Sequence, residues 1–117
     1  MIDRAAKGAR KERERIDFYK EQGWKLLARA VRTKYQREDL GGAWDFWMAR
    51  FRQDDHNNGV EWMFVQVGSR HDRAKKIRTC REWVVLFGLP HRNIHYLVET
   101  YGAKGWISDE VSNPKQL

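Results

Sequence analysis

Two carboxylates and one amide stand where a folded chain usually buries apolar side chains: Glu12, Asp45 and Gln66. A buried charge is costly unless it is paired or bound to a metal. Carboxylate and amide oxygens suit Mg²⁺ or Mn²⁺, which keep several waters and take further ligands from phosphate. A divalent ion held there can activate a water molecule and stabilise charge that develops on a phosphodiester. The three residues make a candidate site for metal-dependent phosphodiester hydrolysis.

The first of these residues lies on the core-facing side of a predicted helix. Apolar residues recur there with the period of an α-helix, and the carboxylate of Glu12 interrupts the stripe. The stripe consists of Ala5, Ala9, Glu12, Ile16 and Tyr19. A salt bridge between Glu12 and a neighbouring Arg is the alternative to metal binding.

The other two residues interrupt strand-like segments. Asp45 lies in the aromatic run 44–51 and Gln66 in the apolar run 60–67. Asn58 and Gly59 between the runs are typical of a hairpin turn, so the two strands are expected to be neighbours. Asp45 and Gln66 can then approach each other, although hydrogen bonding within the sheet would also explain them.

The remaining segments complete one domain. Besides the strands just named, we predict a first helix over residues 3–22, ended by Gly23, and a second helix over 72–87 that Asp72 can cap. Residues 24–31 are predicted to form a strand, with a helix as the alternative, and residues 94–101 form the last strand. The order α-β-β-β-α-β predicts an α/β (α+β) fold with a mixed central sheet flanked by helices. Residues 1–107 form the domain and 108–117 a loose tail, with Trp106 and Ile107 packing beyond the last strand.

The charge of the chain is concentrated near its start. Residues 1–37 contain twelve Lys or Arg and five Asp or Glu, whereas residues 38–117 contain eleven of each. A one-sided basic surface is typical of nucleic-acid binding, and a membrane surface is the alternative. The candidate phosphate contacts are Arg10, Lys11, Arg13, Lys34 and Arg37, with Tyr35 as a base-stacking side chain.

Composition excludes several classes. No run approaches the 18 apolar residues that a membrane-spanning helix needs, and the basic start lacks the apolar core of a secretory signal. The single cysteine, Cys80, excludes an internal disulfide and fits a cytoplasmic protein. Because Cys80 falls on the apolar side of the second helix, we predict a buried structural thiol.

Several motifs resemble the PD-(D/E)xK nuclease superfamily, whose core has the order α-β-β-β-α-β. The opening segment, with Lys7-Gly8, Glu12-Arg13 and a closing Gly23, resembles the start of archaeal Holliday junction resolvases. GGAWDFWMARF is similar to the motif that carries the family's metal-binding Asp, and EWMFVQVGS to the strand that carries its second acid and its Lys. The resemblance covers about residues 5–101. Phage-encoded members of the family that carry a VQV strand are similar to this chain, and a phage-encoded protein would act in the host cytoplasm.

This resemblance implies a metal-dependent endonuclease that acts in DNA recombination on branched or structured DNA, as a homodimer. Asp45 and Gln66 would occupy the metal-binding positions, with Gln66 in place of the usual acid. Gly68 stands where the family has Lys, so Arg70, Lys75 or Lys76 must reach back, and Lys76 is our first choice. The matched strand Arg is Arg29 or Arg32, and both join Arg70 as candidate DNA contacts.

Two other functions stay open at this point. A catalytically degenerate protein of the nuclease fold would also lack Lys at position 68. Such a protein would bind DNA or a host protein without cutting. A nucleic-acid binder of another fold would make residues 24–31 helical.

Overall fold

A computed structural model describes residues 4–30, 39–51, 59–89 and 92–111. This part of the chain contains two α-helices, five β-strands and a short 3-10 turn. The elements are α1 (Arg4–Lys20), β1 (Lys25–Arg29), β2 (Phe46–Phe51), β3 (Val60–Ser69), the 3-10 turn (Arg70–Asp72), α2 (Arg73–Phe87), β4 (Ile94–Gly102) and β5 (Gly105–Glu110).

The strands form one sheet, in which their spatial order β1-β2-β3-β4-β5 repeats their order along the chain. Neighbouring strands are antiparallel except β3 and β4. That pair is parallel because α2 carries the chain back between them, as a parallel connection requires. The predicted α+β class is confirmed: a mixed sheet is flanked by two helices.

The helices cover opposite faces of the sheet, because strand side chains alternate between faces. Met63, Val65 and Val67 of β3 pack in one cluster with side chains of α1, and we call this side the α1 face. Phe64 packs in a second cluster with side chains of α2, on the side that we call the α2 face. Gln66 shares the α2 face with Phe64 because they are two residues apart.

The first helix buries the last three residues of the predicted stripe, Ala9 is half-buried, and the side chain of Ala5 lies outside what the structure describes. Glu12, Ile16 and Tyr19 are all buried, and Arg15 beside them is buried too. Gly23 follows the helix with φ +92°, a conformation that favours glycine, which confirms the predicted stop.

The segment that had helix as a rival is a strand. Residues Lys25–Arg29 pair antiparallel with β2, with a bulge between Leu26 and Ala28. The fold in which residues 24–31 are helical is therefore excluded for residues 25–29. Tertiary pairing with the apolar strand β2 outweighs the helix propensity of Leu and Ala here.

The loose tail expected from residue 108 is wrong for its first residues. Strand β5 pairs antiparallel with β4 through Glu110, and Val111 is buried with its N–H donating to the carbonyl of Tyr96 at 2.7 Å. Gly105, at φ +108°, permits the tight turn that returns the chain from β4 to β5. Residues 112–117 lie outside the described residues.

The second helix begins at Arg73, directly after its predicted cap residue, Asp72. Asp72 precedes α2, but its side chain makes no capping hydrogen bond and instead accepts one from Ser69 Oγ at 3.3 Å. The carboxylate therefore does not neutralise the N–H groups of the first turn.

Candidate functional site

The chain enters β2 through a tight hairpin. Leu40 and Trp44 exchange backbone hydrogen bonds of 2.7 and 3.1 Å. Gly41 and Gly42 in the turn have φ of +61° and +87°, so both need the freedom of glycine. The indole Nε1 of Trp83 on α2 donates to the carbonyl of Gly41 at 2.9 Å and fixes the turn against the helix.

The arms of this hairpin bring two aspartates to β3. Asp39 and Asp45 each stand one residue outside the closing pair of the hairpin. Asp45 brackets the backbone of Gln66: its N–H donates to Val65 O at 2.8 Å, and its Oδ2 accepts from Val67 N–H at 2.6 Å. Gln66 Nε2 in turn donates to Asp39 Oδ2 at 3.4 Å. The predicted approach of Asp45 to the Gln66 position is thus realised through the backbone.

The amide of Gln66 is only half satisfied. The residue is 6% exposed, and its Oε1 has no hydrogen-bond partner among the described residues. A buried polar atom without a partner costs about 1–3 kcal/mol relative to a satisfied one. A buried oxygen left in this state is a ligand-ready acceptor for a cation or a hydrogen-bond donor.

Lys76 of α2 fills the space beside Gln66. A Cβ built on Gly68 would overlap Cδ and Cε of Lys76 and would lie 3.3 Å from its Nζ. Gly68 is two residues from Gln66, so the two positions share the α2 face. The ammonium group therefore reaches the region where a side chain of residue 68 would begin, as we predicted for the displaced lysine.

These groups border a polar cavity of about 270 Å³ between β3 and α2, which we call the β3–α2 cavity. Its lining residues are Asp39, Gln66, Asp72, Lys75, Lys76 and Thr79. Two carboxylates and two ammonium groups thus surround the Gln66 amide.

A buried thiol lies within electrostatic reach of two cavity residues, Lys76 and Asp39. Cys80 is 1% exposed, which confirms the predicted structural cysteine. Burial raises its pKa from 9.0 to about 12, with Lys76 lowering it and Asp39 raising it. A thiol with this pKa stays protonated at neutral pH and is not a nucleophile.

Glu12 is not part of this cavity. Its carboxylate is buried on the α1 side, where Arg29 Nε donates to Oε1 at 2.9 Å. Arg29 is paired in register with Phe46, a member of the α1-face cluster. The salt bridge that we considered as the alternative for Glu12 is thus present, and the expected convergence of Glu12 with Gln66 is not.

A second buried carboxylate on the α1 face was not singled out from the sequence. Glu99 is fully buried and accepts hydrogen bonds from the Tyr19 hydroxyl, the Ser108 hydroxyl and, at 3.4 Å, Arg15 Nη2. Burial raises the pKa of Tyr19, and the Glu99 charge raises it further. The Tyr19 hydroxyl therefore remains a donor to Glu99 across the physiological pH range.

The predicted DNA contacts are divided between surface and interior. Arg10 and Arg13 of α1 are exposed, whereas Lys11 is half-buried beside Glu14, with Nζ 3.4 Å from Oε2. Arg70 Nη2 donates to the carbonyl of Gly105 at 2.8 Å. Arg32, Lys34, Tyr35 and Arg37 lie outside the described residues.

The donor set of the cavity is compatible with a hard divalent cation. Asp39 and Gln66, which line the cavity, offer carboxylate and amide oxygens, and Gln66 Oε1 has no other partner in the described chain. Asp45 is not among the lining residues, and its Oδ2 accepts from Val67 N–H at 2.6 Å. Within residues 4–30, 39–51, 59–89 and 92–111, no group of three or more His, Cys, Asp or Glu side chains is arranged to hold a metal. Any cation here would therefore depend on the amide and on substrate oxygens.

Two lining carboxylates, Asp39 and Asp72, were missed as site residues. A signal for Asp39 exists: the Gly41-Gly42 pair inside Leu40…Trp44 is a hairpin pattern, and closing it brings residue 39 opposite residue 45. Asp72 was interpreted only as a helix cap, so its carboxylate was not considered as a lining group of the cavity.

Comparison with known proteins does not assign a family or a function to this chain. No family model, curated protein or solved structure matches the chain. Among the described residues, neither helix has the length and apolarity that crossing a bilayer demands.

Proposed function

We propose that this protein is a metal-dependent endodeoxyribonuclease that hydrolyses phosphodiesters of branched or structured DNA at the β3–α2 cavity. The observation that carries the proposal is the position of Lys76 over Gly68. A lysine missing from β3 is supplied from α2, on the same face as Gln66.

The residues of the cavity divide the work as follows. Asp39 and Gln66 line the cavity and supply oxygens that would hold Mg²⁺ or Mn²⁺. Asp45, bound through Oδ2 to Val67 N–H, would complete the set from outside the lining residues. When bound, such an ion supplies charge neutralisation at a phosphate and a water of lowered pKa. Lys76 provides a fixed positive charge for the non-bridging oxygens, where negative charge builds up during hydrolysis.

Fold-level features support the comparison with PD-(D/E)xK nucleases. The first six helices and strands keep the order α-β-β-β-α-β, and Asp45, directly before β2, hydrogen-bonds the backbone of β3 on either side of Gln66. A restriction-endonuclease-like arrangement, a junction-shaped substrate and a homodimer that cuts two strands are parts of this proposal that rest on the resemblance. The basic side chains of α1 offer contacts to the DNA backbone that carry no base information.

The proposal is tested by moving the lysine. Cleavage of a four-way DNA junction with Mn²⁺ is compared for wild type, Lys76→Ala and Gly68→Lys/Lys76→Ala. We expect Lys76→Ala to lose about 10²- to 10³-fold in rate, as for the loss of one charge-stabilising group. The double variant should recover most of that loss, because removing the long side chain frees the space at position 68.

Arg78→Ala is the matched control, since it removes a charge from the exposed side of α2 outside the cavity. It should cleave at the wild-type rate. Wild-type cleavage by Lys76→Ala would refute the assigned role, and cleavage that survives Asp45→Ala would point to a contaminant or to a different site.

A second candidate function is a DNA- or host-protein-binding protein of the same fold that does not cut. The ion pair of Glu12 with Arg29 away from the cavity favours it, because one of the three expected metal ligands is already used. Tight junction binding without cleavage in Mg²⁺ or Mn²⁺, unchanged by Asp45→Ala, would establish this function instead.

A further inference from the structure

A second cavity, of about 440 Å³, lies at the opposite side of the end of β3, where the carboxyl ends of β3 and β4 meet α1. We call it the basic pocket. Its lining residues are Lys7, Arg10, Lys11, Ser69, Arg70, His71, Tyr101, Gly102 and Ala103. The crevice beyond the carboxyl ends of parallel strands is the usual place for ligands in sheets of this kind.

The basic pocket is strongly cationic. Four of its nine lining residues are Lys or Arg, and none is Asp or Glu. Lys11 is paired with the exposed Glu14 at 3.4 Å. Lys7 and Arg10 have no carboxylate within ion-pair distance in the described part of the chain, so their charge is available to a ligand.

The arginine of the pocket is held in position by the backbone. Arg70 Nη2 donates to Gly105 O at 2.8 Å, and its Cζ lies 3.2 Å from where a Cβ of Gly102 would stand. Its Nε is buried and has no partner among the described residues. The backbone contact holds the positive charge of Arg70 at the pocket, where a guanidinium attracts an oxyanion.

The lysines are positioned by an aromatic ring. Nζ of Lys7 and of Lys11 lie 5.9 and 5.7 Å from the Tyr101 ring centroid, within the range of cation–π attraction. Tyr101 packs edge-on against Trp106 at 5.6 Å between centroids, which holds the ring. Cations from α1, which lie over Tyr101 of β4, and the cation of the 3-10 turn therefore line one volume.

We propose that the basic pocket binds a phosphate group of a nucleotide, separately from the phosphodiester that is cut. Its volume exceeds that of a phosphate ion and leaves room for an attached sugar. Ser69 and Arg70 of the pocket follow Gln66 by three and four residues, so both cavities border the same end of β3. A DNA strand that passes round this end would contact both. This part of the inference rests on the proposed nuclease function, whereas phosphate binding itself does not.

Binding without divalent metal tests the proposal. Inorganic phosphate and two twelve-nucleotide DNA strands, one with a 5′-phosphate and one with a 5′-hydroxyl, are titrated calorimetrically in EDTA. The proteins are wild type, Lys7→Gln/Arg10→Gln and the control Arg78→Gln/Arg81→Gln, which removes the same charge from α2. Circular dichroism melting checks that all three are folded.

We expect the pocket variant to lose at least 10-fold in affinity for both strands and for phosphate, and the control less than 2-fold. A wild-type preference of 10-fold or more for the 5′-phosphate, lost in the variant, would assign the pocket to a strand terminus. Equal binding of both strands would assign it to an internal phosphodiester. Equal losses in variant and control would overturn the proposal, because charge alone would then explain binding.

Cleavage distinguishes this outcome from failure of the proposed function. If Lys76→Ala loses activity but keeps the pocket's phosphate affinity, both proposals stand. Phosphate binding by a protein that never cuts DNA would refute the nuclease alone, and cutting without a pocket-specific loss would refute the pocket alone.

Discussion

On the α1 face, the two buried carboxylates of the described residues are already occupied by protein donors: Glu12 by Arg29, and Glu99 by Arg15 and two hydroxyls. On the α2 face, the buried amide of Gln66 keeps an oxygen with no partner in the described chain, beside Lys76. Burial of polar groups alone therefore does not identify a site. For these three side chains, the difference is whether the protein supplies donors to the buried oxygens; Arg15 Nε on the α1 face is, like Gln66 Oε1, a buried atom with no partner in the described chain.

This difference has an energetic consequence. A satisfied buried ion pair stabilises the fold relative to the same pair with one partner removed. An incomplete polar group lowers stability and is retained where a ligand completes it. Removal of a polar group should thus have opposite effects on stability on the two faces.

The largest effect is expected on the α1 face. Arg15→Met leaves the fully buried Glu99 without its cation, so the free energy of unfolding should fall by about 3–5 kcal/mol. Urea denaturation followed by tryptophan fluorescence measures it. A loss below about 1 kcal/mol would mean that the hydroxyl donors alone support the Glu99 charge, and the contrast between the faces would disappear.

An effect of opposite sign is expected on the α2 face. Gln66→Met keeps the size of the side chain and removes both the unpartnered oxygen and the long 3.4 Å hydrogen bond from Nε2 to the half-buried Asp39. Because the buried oxygen costs more than this long bond contributes, the free energy of unfolding should rise by about 0.5–2 kcal/mol. The same urea experiment measures it, and junction cleavage should be lost in parallel. Destabilisation of the variant would show that the Gln66 amide is structural, like the groups of the α1 face.

The smallest effect concerns an ion pair at the rim of the α2 face. Two hydrogen bonds of 2.8 and 2.7 Å from Arg73 hold the pKa of Asp109 below its ordinary 3.8. A lowered carboxyl pKa contributes stability above the unfolded-state value, and this contribution is lost as pH falls through the folded-state value.

Asp109→Asn should therefore lower Tm by no more than about 2 °C at pH 7, because the pair is largely exposed. The difference from wild type should shrink as the pH is lowered from 5 to 3, followed by circular dichroism melting. A constant difference over that range would mean that the Asp109 charge does not stabilise the fold.

Much of the fold was predictable because its signals are local. The helical stripe before Gly23, the apolar run around Gln66 and the helix containing Cys80 each follow from spacing within one segment. Strand β5 was missed because its short GWISDE segment follows a polar turn and gains strand structure only by pairing with β4.

The site was predictable only where neighbours in sequence are neighbours in space. Asp45 and Gln66 were found because a hairpin joins their strands. Periodicity shows that a helix has a buried side but not which face of the sheet it covers, so Glu12 was grouped with residues from which the sheet separates it. Lys76 was selected because a missing lysine required a substitute.

The hydrogen bond between Trp83 and Gly41 connects helix α2, which carries Lys76, to the hairpin arm that carries Asp39. Both border the β3–α2 cavity. Lys76 and Trp83 are seven residues apart, two turns along the same side of α2. A tilt of α2 must therefore carry the ammonium group and, through the hydrogen bond to Gly41, the arm that bears Asp39 in the same direction. The distance between the backbone of α2 at Lys76 and the arm of Asp39 is therefore set by one helix, and the flexible side chain of Lys76 is the part of this wall that can move to admit a bulkier ligand.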